Sequence, residues 1–185
     1  MNPQARGRLA EVVAVFGRGR RSSPQRDRVP LDRVTLHVAV ADDSVEQVDT
    51  LERRRVHVFA DRACTTELLP DDGGQSVPGF FLCRVAGVAR HLEAVRSNEF
   101  GILCPVTIRH EAGGPHRATA LAVVSATGAR AGYLPAPVAA SFAEPFDTEL
   151  AGAGFVAGEW TRDGARVGLV VAGTIGRSLD VDVGA

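Results

Sequence analysis

Val34 to Val40, VTLHVAV, alternates apolar and polar positions, so that Val34, Leu36, Val38 and Val40 share one face of a predicted strand. Asp42-Asp43 ends it, and Arg53-Arg54-Arg55 leads into a second short strand at Val56-His57-Val58-Phe59. Farther along the pattern changes. Phe80 to Val88, FFLCRVAGV, is nearly continuous in its apolar residues, which predicts a strand of the buried kind. Arg90 to Ser97 then predicts a helical turn or two.

The densest pattern runs from Pro105 to Pro135. Pro105 to Glu111, Thr119 to Val124 and Ala129 to Leu134 read as three strands, separated by Ala112-Gly113-Gly114-Pro115 and by Ser125-Ala126-Thr127-Gly128. Gly and Pro stand where hairpins need a positive or a fixed φ, so an antiparallel meander is expected. After Pro135 a helix is predicted near 136–146, with Val138, Phe142 and Phe146 on one stripe and Pro145 to kink or end it. Phe155 to Trp160 and Val167 to Val171 follow as strands joined through Arg162-Asp163-Gly164-Ala165, a type I′ signal. Five or six strands around one short helix fit a small, partly open antiparallel β-barrel, OB-like, better than a sandwich. Leu121, Val123, Leu134, Phe142, Leu169 and Val171 are its expected core.

The N-terminal part reads differently. Asn2-Pro3 caps a predicted short helix, whose Leu9, Val12, Val13 and Phe16 form one apolar face before Gly17. Residues 1–30 hold seven Arg against Glu11 and Asp27, a net of +5. This segment reads as a basic arm for phosphates or an acidic partner, or as a solvated linker. Residues 41–72 carry nine acids against four Arg, a net of −5. Three parts are therefore expected: a basic helix and arm at 1–30, mobile across 17–30; a β-containing extension at 31–76; and the barrel at 77–185.

Composition narrows the chemistry. The chain has 185 residues, 45% hydrophobic and 23% charged, enough for a real core. Every one of its 21 basic residues is Arg, and it has one Trp and one Tyr, so a site built on stacking has few rings to use. Cys64, Cys83 and Cys104 are widely spaced and make no C-x-x-C pair, so no metal or cofactor is expected, and Cys83 and Cys104 read as buried thiols. The five His are scattered and suggest no Ser/His/Asp order, so no catalytic residue is named and no enzyme is expected. No run reaches the roughly 18 apolar residues of a membrane span, and the start carries no signal-peptide pattern. A soluble, cytoplasmic protein without a membrane partner is the expectation.

Several stretches together resemble a known module. Val85-Ala86-Gly87-Val88, Pro105 to Glu111, the turn and strand Gly113-Gly114-Pro115-His116-Arg117-Ala118-Thr119-Ala120-Leu121-Ala122-Val123, then Gly128 and Ala131-Gly132-Tyr133-Leu134-Pro135 with its helix, resemble the HIRAN domain in order and spacing. The resemblance covers residues 80–173. It implies a small β-barrel that holds the 3′ end of a single DNA strand, a module found fused to helicase-like transcription factors and, in bacteria, alone or with other domains. The family's turn carries an aromatic residue after its Pro, then an acid, and an Asn. Here His116, Arg117 and Thr119 stand at those positions. Guanidinium has no acceptor for a 3′-hydroxyl but pairs with phosphate, so the replacements favour phosphate contact and weaker stacking. Arg84, Arg90, Arg96, Arg109, Arg117 and Arg130 against Glu93, Glu99 and Glu111 give 84–130 a net of +3. The expected contact residues are His116, Arg117, Thr119, Tyr133, Arg90 and Arg109, with core packing the competing role for Tyr133. Two classes of function follow. One is a nucleic-acid-binding module for single-stranded DNA or DNA ends, working beside a helicase or nuclease. The other is a protein-interaction barrel that has lost the DNA site.

Overall fold

The computed structural model describes residues 33–39, 45–48, 50–70, 80–111, 120–142 and 152–184. The predicted N-terminal helix, the basic arm, the expected boundary between extension and barrel at 76–77, the turn at 113–119 and the far end of the predicted 136–146 helix lie outside these residues. What is described is mainly β, an antiparallel sheet curled into a half-barrel with two short helices.

The barrel sheet runs β6 (Phe80–Arg84), β11 (Ala165–Ile175), β10 (Gly152–Arg162), β7 (Pro105–His110), β8 (Leu121–Ser125), β9 (Arg130–Tyr133). Its two ends meet at one antiparallel bridge, in which Ala86 N–H donates to the Tyr133 carbonyl at 2.7 Å and Tyr133 N–H donates back at 2.9 Å. A Cβ on Gly132 would sit 2.3 Å from the Ala86 carbonyl oxygen, and its φ is +151°, so glycine is what lets the ends approach. The β10–β11 turn is the expected one: Asp163 and Gly164 have φ of 51° and 74°, the double left-handed geometry of type I′.

Alternation along these strands divides two cores. Phe81, Cys83, Val106, Ile108, Leu121, Val123, Val156, Leu169 and Val171 point into the barrel, with Leu134, Val138 and Ala139 closing one end. Five of the six expected core residues are buried, and Phe142 is partly buried against the same core. The helix α2 (Ala136–Ser141) ends sooner than the predicted 136–146, with Phe142 as its last cap. Between β6 and β7, Gly87 turns the chain at φ +75° into a 3-10 turn at Val88–Arg90, and α1 (Leu92–Val95) follows. The predicted strand therefore stops at Arg84 rather than Val88.

The opposite face of β6, β11 and β10 is also dry. Phe80, Leu82, Phe155, Ala157, Val170 and Ala172 point outward and pack against Leu36, Val38, Val56, Val58 and Leu68. All of these partners but Val56, which directly precedes His57, belong to a second sheet, ordered β12 (Ser178–Gly184), β1 (Arg33–Ala39), β4 (His57–Phe59), β5 (Glu67–Leu68). Each outward Leu or Phe so covered contributes about 1.5–3 kcal/mol by leaving water. Two elements extend the sequence reading. β12 continues the chain beyond β11 and pairs in parallel with β1, Arg33 opposite Ser178. Arg53-Arg54-Arg55, expected only as a lead-in, lies within β3 (Leu51–Arg55), which pairs with β2 (Val45–Val48) and with the far half of β10. The extension thus shares a core and a sheet with the barrel. No helix among the described residues is long and apolar enough to cross a membrane.

Candidate functional site

The outer face of β7, β8 and β9 lies apart from the cover of the second sheet. Register fixes what it presents. Arg109 is opposite Ala122, and Ala122 is opposite Tyr133, so the three form one row across the strands. Arg109 points outward because its neighbour Ile108 points into the barrel, and it is exposed. The β7–β8 connection leaves at Glu111 and returns at Ala120, where Glu111 N–H donates to the Ala120 carbonyl at 3.0 Å.

Tyr133 is the centre of a polar cluster at these stems. Its hydroxyl donates to Glu111 Oε2 at 2.7 Å and accepts from Arg130 Nη1 at 2.9 Å. Arg130 also forms an ion pair with Glu111 and holds its guanidinium 5.6 Å from the Tyr133 ring centroid. The His91 ring meets the same ring edge-on at 6.3 Å. Gly87 is the near wall, since a Cβ there would lie 3.8 Å from the tyrosine ring. Burial pushes the His91 pKa below its ordinary value, Arg130 lowers it further, Glu111 opposes, and Arg90 lowers it slightly. The imidazole is therefore neutral near neutral pH. Arg130 pairs with Glu111, Arg90 adds a second positive charge near His91, and Arg109 stands two residues before Glu111.

The structure brings together three of the six residues expected from sequence. Tyr133 and Arg109 share a row, and Arg90 ends the 3-10 turn that delivers His91 to the tyrosine. The Tyr133 hydroxyl is satisfied, and its ring is half-buried rather than core. His116, Arg117 and Thr119 lie outside the described residues, in the connection between Glu111 and Ala120. Arg130 and His91 had not been expected as partners. The spacing Arg130-x-x-Tyr133 was a faint signal, but only the β8–β9 register, which shifts between Val123 and Val124, turns both side chains to one side.

Two other polar clusters hold the frame. Glu99 accepts hydrogen bonds from the hydroxyls of Ser125 and Thr127, which fixes the β8–β9 turn and lowers the Glu99 pKa. Arg166 pairs with Glu159 at 2.8 Å and donates to the carbonyls of Val95 and Ser97, tying β10 and β11 to the end of α1. Of the cysteines, Cys83 is buried in the barrel as expected, Cys104 is half-buried and Cys64 is exposed. Among the described residues, no three His, Cys, Asp or Glu side chains come together as metal ligands.

Ring, guanidinium and loop stem are the parts that single-strand binding uses: a π-face for a base, and N–H donors for a phosphate. Comparison with family models, with curated proteins and with solved structures finds no match to this chain.

Proposed function

We propose that the barrel is a nucleic-acid-binding module for single-stranded DNA or DNA ends, acting in the cytoplasm beside a helicase or nuclease. The observation that carries this reading is the Tyr133 cluster, with Arg130 over its ring and Arg109 in the same row, at the stems of the loop that holds His116 and Arg117. The resemblance to the HIRAN domain supports it from the sequence side and points to the same loop. In this reading His116 stacks on a base, Arg117 takes a phosphate, Thr119 adds a hydroxyl contact, and Arg109 and Arg90 extend the basic surface. No chemistry is performed on the strand. The protein-interaction reading draws on one observation, that Glu111 neutralises Arg130 and occupies the Tyr133 hydroxyl.

Fluorescence anisotropy with short strands ending in 3′-hydroxyl, 3′-phosphate or 5′-phosphate separates the two. The expected result is binding that weakens as salt rises, tolerates a terminal 3′-phosphate, and falls roughly tenfold in a His116→Ala, Arg117→Ala double variant. Equal affinity of wild type and variant for all three ends removes the loop from the mechanism. Absence of binding at low salt hands the protein to the interaction reading.

A further inference from the structure

The chain's single tryptophan stands on the outer face of the barrel, where it stacks with arginines. Trp160, on β10, is opposite Arg53 on β3 and opposite Gly168 on β11. Because Gly168 has no side chain, the indole lies across it; a Cβ there would be 3.3 Å from Trp160 Cδ1. The ring thereby reaches Arg84 on β6, whose guanidinium sits 5.1 Å from its centroid, while that of Arg53 sits at 5.3 Å. Arg84 is exposed and Trp160 is partly so.

Register joins this group to the Tyr133 cluster. Val170 is opposite Arg84, and Val85 N–H donates to the Leu169 carbonyl, so one further step sets Ala86 beside Gly168. Ala86 is in turn bridged to Tyr133, and Tyr133 is followed by Ala122 and Arg109. One outward row therefore crosses six strands and the Ala86 bridge: Arg53, Trp160, Gly168, Ala86, Tyr133, Ala122, Arg109. Its two rings stand three strand steps apart, about 14 Å. The positions between them are Gly and Ala, which leave the belt shallow.

We infer that this belt is a second contact surface for single-stranded nucleic acid, with Trp160 and Arg84 as a stacking and phosphate station beyond the loop. The inference rests on the nucleic-acid reading of the Tyr133 cluster and extends the bound strand from an end to a run of nucleotides. A base stacks on the indole or on the guanidinium plane that covers it, and the phosphate takes the remaining N–H donors of Arg84. An acidic peptide would use the arginines alone. Two rings on one row with small residues between them favour bases, because every base offers a π-face.

Trp160 reports on its own occupancy, since all indole emission comes from it. Oligothymidylates of about three to about twelve nucleotides are titrated while anisotropy and indole emission are read together. Strands long enough to cover both rings should quench Trp160 and bind roughly tenfold tighter than the shortest ones. Arg84→Ala alters an exposed side chain; it should abolish most of that gain, lower the salt slope by about one, and leave the shortest strands unaffected. Trp160→Phe should retain part of the gain. Long strands that bind with Trp160 emission and the Arg84→Ala affinity both unchanged would overturn the belt and leave the loop reading standing. Quenching by polyglutamate in place of the strands would also overturn it. No anisotropy change with any strand would instead end the nucleic-acid reading itself.

Discussion

Two outward faces of one barrel meet opposite fates. Over one part of β6, β11 and β10 the outward residues Phe80, Leu82, Phe155, Ala157, Val170 and Ala172 are covered by the second sheet, which leaves Arg84, Gly168 and Trp160 outside that packed core. On β7, β8 and β9 the outward row is Arg109, Ala122 and Tyr133, with Arg130 beside the ring. Inward positions are mostly apolar, with Ser125 and Glu159 as buried polar exceptions. The outward ones therefore record what lies over each part of the sheet: a packed apolar layer on one side, and on the other polar side chains, exposed at Arg109 and half-buried at Tyr133 and Arg130, around the buried Ala122. Covered strands read as continuous apolar runs, as in FFLC and LVVA. The other side places charges and one ring on β7 and β9, flanking β8, whose outward Ala122 and Val124 are small and buried.

The strongest test of this contrast compares outward residues of the two faces directly. Phe80 is 1% exposed, although it points away from the barrel interior. Phe80→Ala should therefore cost about 3–5 kcal/mol, as much as a change inside the barrel. Arg109→Ala, outward on the open face, should cost less than about 0.5 kcal/mol. Urea unfolding followed by circular dichroism gives both values. A cost below about 1 kcal/mol for Phe80→Ala would mean that the second sheet does not seal this face in solution.

The difference also explains what was legible in the sequence. Strands with Gly or Pro at their ends and apolar inward positions were readable: the 105–134 meander, the Asp163-Gly164 hairpin, and the core from Leu121 to Val171. β3 was not, because Arg53-Arg54-Arg55 carries no alternation and is held by backbone pairing to β10. Nor was the pairing of β1 with β12, since Arg33 and Ser178 are far apart in the chain and a parallel ladder leaves no local turn signal. Ser178-Leu179-Asp180-Val181-Asp182-Val183 did alternate, and the strand itself was open to detection. The candidate site was half readable. Tyr133 and Arg109 could be named from the sequence, but their common row and the roles of Arg130, His91 and Trp160 depend on register. A lone Trp beside an apolar run reads as core; the β10–β11 register turns the ring outward, and Gly168 opposite it leaves room for the ring to reach Arg84.

A smaller effect is expected where the two ends of the barrel sheet meet. Gly132→Ala places a methyl group against the Ala86 carbonyl and forces a positive φ on an L residue. The expected loss is about 2–3 kcal/mol. It should fall unevenly. The Ala86 and Tyr133 amides are held by that bridge and should lose hydrogen-exchange protection, whereas amides of β1 and β12, in the other sheet, should keep it. Equal loss in both sheets would show that barrel closure and the covering layer form one cooperative unit, and the contrast between the two sides would then be one of solvation alone.

The smallest effect belongs to His91, which measures how dry the open side is at its one ring cluster. Burial is the main cause of its lowered pKa, with Arg130 next, Glu111 opposing and Arg90 weakest. As pH falls through about 6.5, the unfolded chain takes up this proton first. Stability linked to His91 is therefore complete above that pH and is lost progressively as pH falls through the lower, folded value. NMR titration of the imidazole protons should place the His91 midpoint below about 6.5. Arg130→Gln should raise it, because removing the guanidinium takes away a repelling charge and leaves Glu111 to favour the imidazolium. A bound strand should raise it as well, since phosphate near Arg130 and Arg90 adds negative charge where the two arginines now dominate. A wild-type midpoint at or above about 6.5 would mean that water reaches the ring freely, and that the Tyr133 cluster is an open surface rather than a partly buried one.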